Sequence, residues 1–238
     1  MIGDIVSEVV LIGCGGMALE AAAYILDVND QSQLAGKSTK VAGILSQDFT
    51  KHADIERLLG YSVPCFDSIE MITQLEQKEF LICIGSNVAV HRTLNNEVRR
   101  SKLPLFRLIH PTAYVAKTAK IAAGVILAPN VFVGPGASIG SGTIVNVGST
   151  IGHDAIVGEA CIVSPGVNIN GSVSVEDGVF FGSKSSVDPG LSVAKFSKVV
   201  SGTSVRADIP AGHLQLPDTR KPIKMFNLET GASLFEKR

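Results

Sequence analysis

A large apolar residue recurs at every sixth position through the second half of the chain. Sixteen consecutive positions keep this spacing without an insertion: Val115, Ile121, Leu127, Val133, Ile139, Val145, Ile151, Val157, Val163, Ile169, Val175, Phe181, Val187, Val193, Val199 and Val205. The residue two positions before each of them is nearly always small or β-branched, as at Ala137, Ser149 and Cys161. A fixed short period indicates one small structural unit stacked on itself.

The hexads predict a parallel β-helix. Each hexad would form one short strand and one corner, with the large residue inward and the small one under the neighbouring corner. Three hexads close a triangular coil, so the sixteen hexads make about five coils. Several corners begin with a glycine, which we expect to accommodate a turn with positive φ: Gly134, Gly140, Gly152, Gly158 and Gly182.

Residues 1–105 lack the six-residue phase and predict an α/β domain. Apolar runs typical of buried parallel strands alternate with helical composition, which implies a parallel, Rossmann-like sheet. Strands are expected over 9–12, 41–45, 80–84 and 106–109, and helices over 17–26, 53–59, 68–77 and 88–101. We therefore expect an α/β domain over 1–110, a β-helix over 111–209, and an exit segment and tail over 210–238.

A glycine-rich turn, Gly13-x-Gly15-x-x-Ala18, joins the first strand to the first helix. In that context backbone N–H groups and a helix N-terminus can hold phosphate. An NAD site also needs an acid at the end of the second strand, where this chain has Ser46-Gln47 and then Asp48. The motif favours a nucleotide or phosphate, while an NAD site and a turn that only packs remain alternatives.

The sharpest candidate for chemistry is Gly152-His153-Asp154. His153 lies two positions after the inward Ile151, which places it at a corner and outward. A neutral imidazole is the natural general base near pH 7, and a neighbouring carboxylate can hold its tautomer. Surface decoration is the alternative. The sequence has no Ser in a Gly-x-Ser-x-Gly motif and no Cys beside a His, so direct transfer is favoured over a covalent acyl-enzyme.

Composition excludes several other functions. The net charge of −1 argues against a broad nucleic-acid-binding face. No run approaches 18 uncharged apolar residues, so no membrane span is expected. The start of the chain has acids at Asp4 and Glu8 and no basic region, unlike a signal peptide. The four cysteines show no C-x-x-C spacing, so we expect no disulfide framework, no metal site and a cytoplasmic protein.

Together these features resemble the nucleotide-sugar acetyltransferases of the left-handed β-helix superfamily. The family includes bacillosamine and perosamine N-acetyltransferases and the sialic acid O-acetyltransferases (NeuD-like). The resemblance covers about residues 9–213 and rests on the hexads and on five motifs: the Gly13-Cys14-Gly15-Gly16 turn, Ile84-Gly85-Ser86-Asn87 with Arg92, Leu108-Ile109-His110-Pro111-Thr112-Ala113, Gly152-His153-Asp154 and Asp208-Ile209-Pro210-Ala211-Gly212.

The resemblance implies a left-handed helix and a homotrimer with acetyl-CoA in the groove between adjacent β-helices. It implies His153 as general base, with Asp154 raising its basicity, and the Gly171 N–H on the thioester oxygen. The acetyl-CoA path would follow Ile162, Gly182, Ser183, Ser201 and Gly202. The UDP- or GDP-sugar would lie against Gly13, Cys14, Gly15, Gly16, Met17, Ser46, Gln47, Gly85 and Asn87, and Asn146 would reach the sugar from the neighbouring subunit.

Two departures from the family concern the substrate. Relatives usually carry a His where this chain has Met17, and many carry an Asp pair where it has Ser46-Gln47. We therefore expect N-acetylation of a UDP-, dTDP- or GDP-4-amino-4,6-dideoxyhexose. The alternatives are O-acetylation of the sialic acid type, a non-catalytic nucleotide-binding scaffold, and an NAD-dependent reductase.

Overall fold

The computed structural model describes residues 5–32, 37–67, 77–217 and 223–224. The chain divides into two compact units, Met1–Pro111 and Thr112–Arg238. The first unit contains five strands and three helices among the described residues: β1 (Ile5–Ile12), α1 (Gly16–Ser32), β2 (Lys37–Leu45), α2 (His52–Leu59), β3 (Cys65–Phe66), β4 (Glu79–Ile82), α3 (Val88–Arg100) and β5 (Leu108–Ile109).

The first unit is built on a parallel sheet in the order β3-β2-β1-β4. Its central strand β1 is fully apolar from Val9 to Ile12, and each of these residues is at most 3% exposed. Such a run suits a strand that is covered on both faces. The predicted α/β domain with a parallel sheet is confirmed, and its assignment as Rossmann-like stays a prediction.

The predicted helices of the first unit match α1, α2 and α3 with small shifts at their ends. α2 ends at Gly60, which has a φ of 75°, and α3 begins after Asn87, whose side chain accepts hydrogen bonds from two amides of the first turn. The two-residue strand β3 was not predicted. The helix expected over 68–77 lies, apart from its last residue, outside the described residues.

The second unit contains sixteen two-residue strands, one for each hexad: β6 (Tyr114–Val115), β7 (Lys120–Ile121), β8 (Ile126–Leu127), β9 (Phe132–Val133), β10 (Ser138–Ile139), β11 (Ile144–Val145), β12 (Thr150–Ile151), β13 (Ile156–Val157), β14 (Ile162–Val163), β15 (Asn168–Ile169), β16 (Ser174–Val175), β17 (Phe180–Phe181), β18 (Ser186–Val187), β19 (Ser192–Val193), β20 (Lys198–Val199) and β21 (Ser204–Val205). Each strand ends on the large residue of its hexad.

These strands form the three faces of a prism. Every strand pairs in parallel with the strand 18 residues further on, as Thr150 does with Asn168, so three hexads make one coil. Face one contains β6, β9, β12, β15, β18 and β21; face two β7, β10, β13, β16 and β19; face three β8, β11, β14, β17 and β20. This arrangement confirms the parallel β-helix and fits a left-handed one.

The inside of the prism follows the two residue series of the repeat. Every large residue from Leu127 to Val205 is at most 2% exposed. The polar members of the small series are buried as well and several form hydrogen bonds. The Thr143 hydroxyl donates to the Gly158 carbonyl at 2.8 Å, and the Ser149 hydroxyl donates to the Ser164 carbonyl at 2.9 Å. A buried hydroxyl satisfied in this way adds little cost to the core.

The corner glycines have a different role from the one expected. The residues with positive φ lie three positions after each large residue, for example Gly136, Gly148 and Asp154. Gly134 and Gly152, which directly follow a large residue, have no positive φ. A Cβ atom at Gly152 would lie 2.5 Å from the Gly171 nitrogen in the next coil. These glycines therefore allow the backbones of successive corners to approach closely.

The pairing continues past residue 209, the boundary drawn from the sequence. Ile209 bridges to Val193 on face two. Beyond it, β22 (His213–Gln215) pairs with β20 on face three, and β23 (Ile223–Lys224) pairs antiparallel with β22. No helix among the described residues is long and apolar enough to cross a membrane.

Candidate active site

His153 and Asp154 occupy an exposed corner between β12 and β13. Asp154 has a left-handed backbone with a φ of 56°, which turns its carboxylate back toward the preceding side chain. The His153 Nδ1 atom lies 2.9 Å from Asp154 Oδ2. The two side chains are 68% and 69% exposed, so the pair meets solvent on the outer surface of the prism.

The carboxylate decides which nitrogen of His153 is free. An ionised carboxylate only accepts hydrogen bonds, so Nδ1 carries the proton that it shares with Asp154. Nε2 then holds the lone pair and is the atom that can take a proton from a reacting group. This corner therefore presents a general base whose tautomer is set by its neighbour.

The backbone of the pair is held from both sides. The Asp154 N–H donates to the Pro135 carbonyl at 2.9 Å, and the Ser172 N–H donates to the His153 carbonyl at 2.8 Å. These two bonds tie the corner to the preceding and the following coil. The base is thus mounted on a rigid part of the solenoid.

Three glycines surround the pair and leave it room. A Cβ atom at Gly171 would lie 2.5 Å from His153 Nε2, and one at Gly134 would lie 2.8 Å from the His153 nitrogen. A Cβ atom at Gly136 would overlap the Asp154 carboxylate. Gly171 was predicted as an amide donor, and its N–H makes no recorded bond to another described residue. The role of Gly136 was missed, although its position 18 residues before Asp154 could have shown it.

The predicted acetyl-CoA residues lie on two different edges of the prism. His153 and Gly171 belong to the corners that follow face one, here called column one. Four other candidates belong to the corners that follow face three, called column three: Gly182, Ser183, Ser201 and Gly202. Column three is compact, since the Gly202 N–H donates to the Ser183 carbonyl at 2.9 Å. One copy of the chain therefore does not bring these four residues to His153.

Two further candidates of the β-helix are also found at face three. Asn146 lies in column three, where its side-chain amide donates to the Val163 carbonyl at 3.1 Å. Ile162 is the first residue of β14 and is fully buried. Its side chain therefore presents no surface to a ligand in this structure.

A cleft of about 300 Å³ lies at the carboxyl edge of the sheet in the first unit. Three of the predicted substrate residues line it: Gly13, Ser46 and Gln47. Six further lining residues were not predicted as contacts: Ile12, Leu45, Asp67, Ile84, Val90 and Leu94. The carboxyl ends of parallel strands are where ligands of α/β sheets bind, so the cleft has the right position for the nucleotide.

The remaining predicted residues lie near this cleft without being part of its lining. The Cys14 side chain is 3% exposed, and burial raises the pKa of its thiol. Gly15 and Gly16 are exposed where α1 begins, and the first amides of a helix have no partner within the helix. Met17 packs against Gly85, which has room for no more than a van der Waals contact.

Asn87 and Ser46 use their side chains locally. The Asn87 carbonyl oxygen accepts the N–H groups of Ala89 and Val90 at the start of α3. The Ser46 hydroxyl donates to the Asp48 carbonyl at 2.6 Å. Within the described residues, no group of three or more His, Cys, Asp or Glu side chains is placed to hold a metal ion.

Comparisons with known proteins agree with this architecture. The family described as GMPPB C-terminal domain matches residues 106–213, which span the hexads. A comparison with curated proteins finds no match. Among solved structures, a variant of perosamine N-acetyltransferase from Caulobacter crescentus, in complex with CoA and GDP-perosamine, is 26% identical with a TM-score of 0.73. The alignment covers 90% of this chain and 93% of that one.

A second structure shows the same fold at lower identity. The acetyltransferase domain of PglB from Neisseria gonorrhoeae, in complex with acetyl coenzyme A, is 21% identical with a TM-score of 0.74. The alignment covers 87% of this chain and 94% of that one. The co-substrate expected from the sequence is thus present in both of these structures. The resemblance inferred from the sequence is confirmed, and this chain is an acetyltransferase of the left-handed β-helix class.

Proposed function

We propose that the protein transfers the acetyl group of acetyl-CoA to the amino group of a nucleotide-linked 4-amino-4,6-dideoxyhexose. The observation that carries the proposal is the His153–Asp154 corner, where Nε2 is free and faces Gly171. The cleft of the first unit supports the nucleotide part of the substrate. The perosamine N-acetyltransferase that binds GDP-perosamine supports the amino sugar.

The proposed reaction needs one base and one amide. His153 Nε2 takes a proton from the acceptor nitrogen as that nitrogen attacks the thioester carbon. The Gly171 N–H donates to the oxygen that becomes negative. When the C–S bond breaks, the thiolate of CoA takes the proton back from the imidazolium, so His153 returns to its starting state.

The thiols of the protein support direct transfer. All four cysteines are free. Burial raises the pKa of the Cys161 thiol to about 12, and it also raises the pKa values of Cys14, Cys65 and Cys83. Since the thiolate is the nucleophile, none of them is activated near neutral pH. Unpaired thiols also favour the cytoplasmic location that we propose.

The separation of the two corner columns supports a site shared between copies. Acetyl-CoA bound along column three would not reach His153 in column one of the same copy without crossing a face. A second β-helix packed alongside would place its column three opposite His153. We therefore propose a homotrimer with three such grooves, in which Asn146 and the acetyl-CoA path come from the neighbouring subunit.

The test is release of free CoA thiol with a panel of acceptors. The panel holds UDP- and dTDP-4-amino-4,6-dideoxy sugars, GDP-perosamine and sialic acid, and each is assayed with wild type and His153→Ala. We expect turnover on one amino sugar and a loss of about 10²–10⁴-fold in the variant. His52→Ala serves as the matched control, because His52 bonds to the Val63 carbonyl in the first unit.

The outcomes separate the alternatives. An amide product survives mild base and an ester does not, so the product distinguishes N- from O-acetylation. Turnover on sialic acid alone would move the protein to the O-acetyltransferases. Full activity of His153→Ala would remove the proposed mechanism, and absence of CoA binding would favour the scaffold.

A further inference from the structure

Asp67 is the only charged residue that lines the cleft of the first unit. The other described lining residues are uncharged: Ile12, Gly13, Leu45, Ser46, Gln47, Ile84, Val90 and Leu94. Asp67 is exposed to solvent at the cleft. Within the described part of the chain, its carboxylate has no recorded hydrogen bond or ion pair. A carboxylate in this position is available to a ligand.

The topology explains how Asp67 reaches the cleft. β3 pairs in parallel with the outer side of β2, and Leu45 is opposite Phe66. The Ser46 N–H donates to the Phe66 carbonyl at 2.9 Å. Asp67 therefore leaves the sheet directly beside Ser46, at the same carboxyl edge. The acid that the dinucleotide-binding pattern requires after the second strand is here supplied by the next strand out.

The other acid near this edge is already used. Asp48 accepts the Thr50 N–H at 3.0 Å and also the Thr50 hydroxyl. Asp48 does not line the cleft. Of the two acids, only Asp67 faces the space where a nucleotide would lie.

We infer that Asp67 accepts the ribose hydroxyls of the nucleotide, so that the protein selects a UDP- or GDP-sugar over a dTDP-sugar. This inference rests on the proposed function and narrows its substrate. The two carboxylate oxygens match the neighbouring 2′- and 3′-hydroxyl groups of a ribose. A 2′-deoxyribose offers only one of these donors.

Charge orients the rest of the nucleotide. The negative diphosphate is repelled by Asp67 and is favoured where α1 begins, at the Gly13–Gly16 turn. The apolar wall formed by Ile84, Val90 and Leu94 remains for the base. The ribose lies between the base and the phosphates in any nucleotide, which is compatible with Asp67 at the outer strand.

The test is direct binding of nucleoside diphosphates to the full-length protein by calorimetry. Two pairs are compared, UDP with 2′-deoxy-UDP and GDP with 2′-deoxy-GDP. For wild type we expect at least one ribonucleotide to bind about 10-fold or more tightly than its deoxy partner, as a hydrogen bond to a charged group predicts. In Asp67→Ala we expect this ratio to fall to about 1, because only the ribose contact is lost.

Two further variants control the test. Asp67→Glu keeps a carboxylate and is expected to keep a preference for ribose. Asp48→Asn keeps the acceptor for Thr50 and is expected to leave the ratio unchanged. Thermal melting of each variant shows whether it is folded, and Asp67→Asn replaces Asp67→Ala if the latter is not.

Each result decides the inference. Equal binding of ribo- and deoxyribonucleotides by wild type overturns it, as does a preference that survives in Asp67→Ala. Binding of no nucleoside diphosphate overturns it too. A loss of base preference with an unchanged ribose ratio assigns Asp67 to the base instead. Because the readout is binding, it stands apart from the acetylation assay: the proposed function fails when no nucleotide sugar is acetylated, whatever the ratio.

Discussion

Gly171→Ala tests the role of His153 without touching either catalytic side chain. Gly171 is not among the residues with positive φ, so the backbone accepts Ala. The added Cβ atom would lie 2.5, 2.7 and 2.9 Å from the Nε2, Cε1 and Cδ2 atoms of His153. All three distances are too short for a carbon contact, so the imidazole has to rotate away from its present position.

The fold should tolerate this rotation. The His153 side chain is 68% exposed, and a strained side-chain torsion costs about 0.5–1.5 kcal/mol. Replacing Gly by Ala at a compatible backbone returns about 0.4–1 kcal/mol through the unfolded chain. The two effects nearly cancel, and we expect Tm to change by less than about 4 °C.

The activity should not tolerate it. The rotated ring moves Nε2 away from the acceptor, so the expected loss in kcat is about 10²-fold or more, toward the 10²–10⁴-fold of a missing base. The Gly171 N–H is still present in the variant, so the loss is attributable to the ring. The assay is release of free CoA thiol by wild type, Gly171→Ala, His153→Ala and the double variant.

The double variant carries the decisive comparison. If Gly171→Ala acts only through His153, it adds no further loss once the imidazole is gone, and the double variant equals His153→Ala within about 3-fold. Multiplying losses would mean that Gly171 acts by another route. A kcat near that of wild type in Gly171→Ala would refute the position assigned to the base.

Three further predictions concern the β-helix and its thiols. Asp154→Asn is expected to lower kcat by about 10²-fold, since the amide no longer fixes the tautomer. Its Tm should stay unchanged because the pair is exposed; a large fall in Tm would contradict this. Ile151→Ala should cost about 2–5 kcal/mol in chemical unfolding, whereas its exposed neighbour Ile156→Ala should cost under about 0.5 kcal/mol. A thiol reagent should label Cys65 alone in the folded protein, since the other three thiols are buried; fast reaction of a second thiol would be inconsistent with the structure.

Much of the β-helix could be predicted because its contacts repeat at a fixed distance along the chain. Once three hexads close a coil, each residue meets the one 18 positions away, as the register of Thr150 and Asn168 shows. The inward residues followed from that period alone. The contact between His153 and Asp154 was also within reach, because the two residues are adjacent in the sequence.

The conformation of the corners was predicted less well. The sequence shows where glycines stand but not whether a glycine serves a positive φ or a close approach. Gly152 is required by the backbone of the next coil, and the left-handed position falls on Asp154 itself. That distinction depends on how closely two coils stack, which is a property of the assembled helix.

The amino-acid sequence was sufficient for the two-part architecture, the inward face of the repeat and the histidine–acid pair, because each rests on local or periodic neighbours. Tertiary structure was needed for the cleft, since strand order alone places the residue after β3 beside the end of β2. No pattern in a two-residue strand announces Asp67. The same holds for the two columns of corners: only closure of the coil separates His153 from Gly182 and Ser201, because the direction in which each corner faces is set by three strands together.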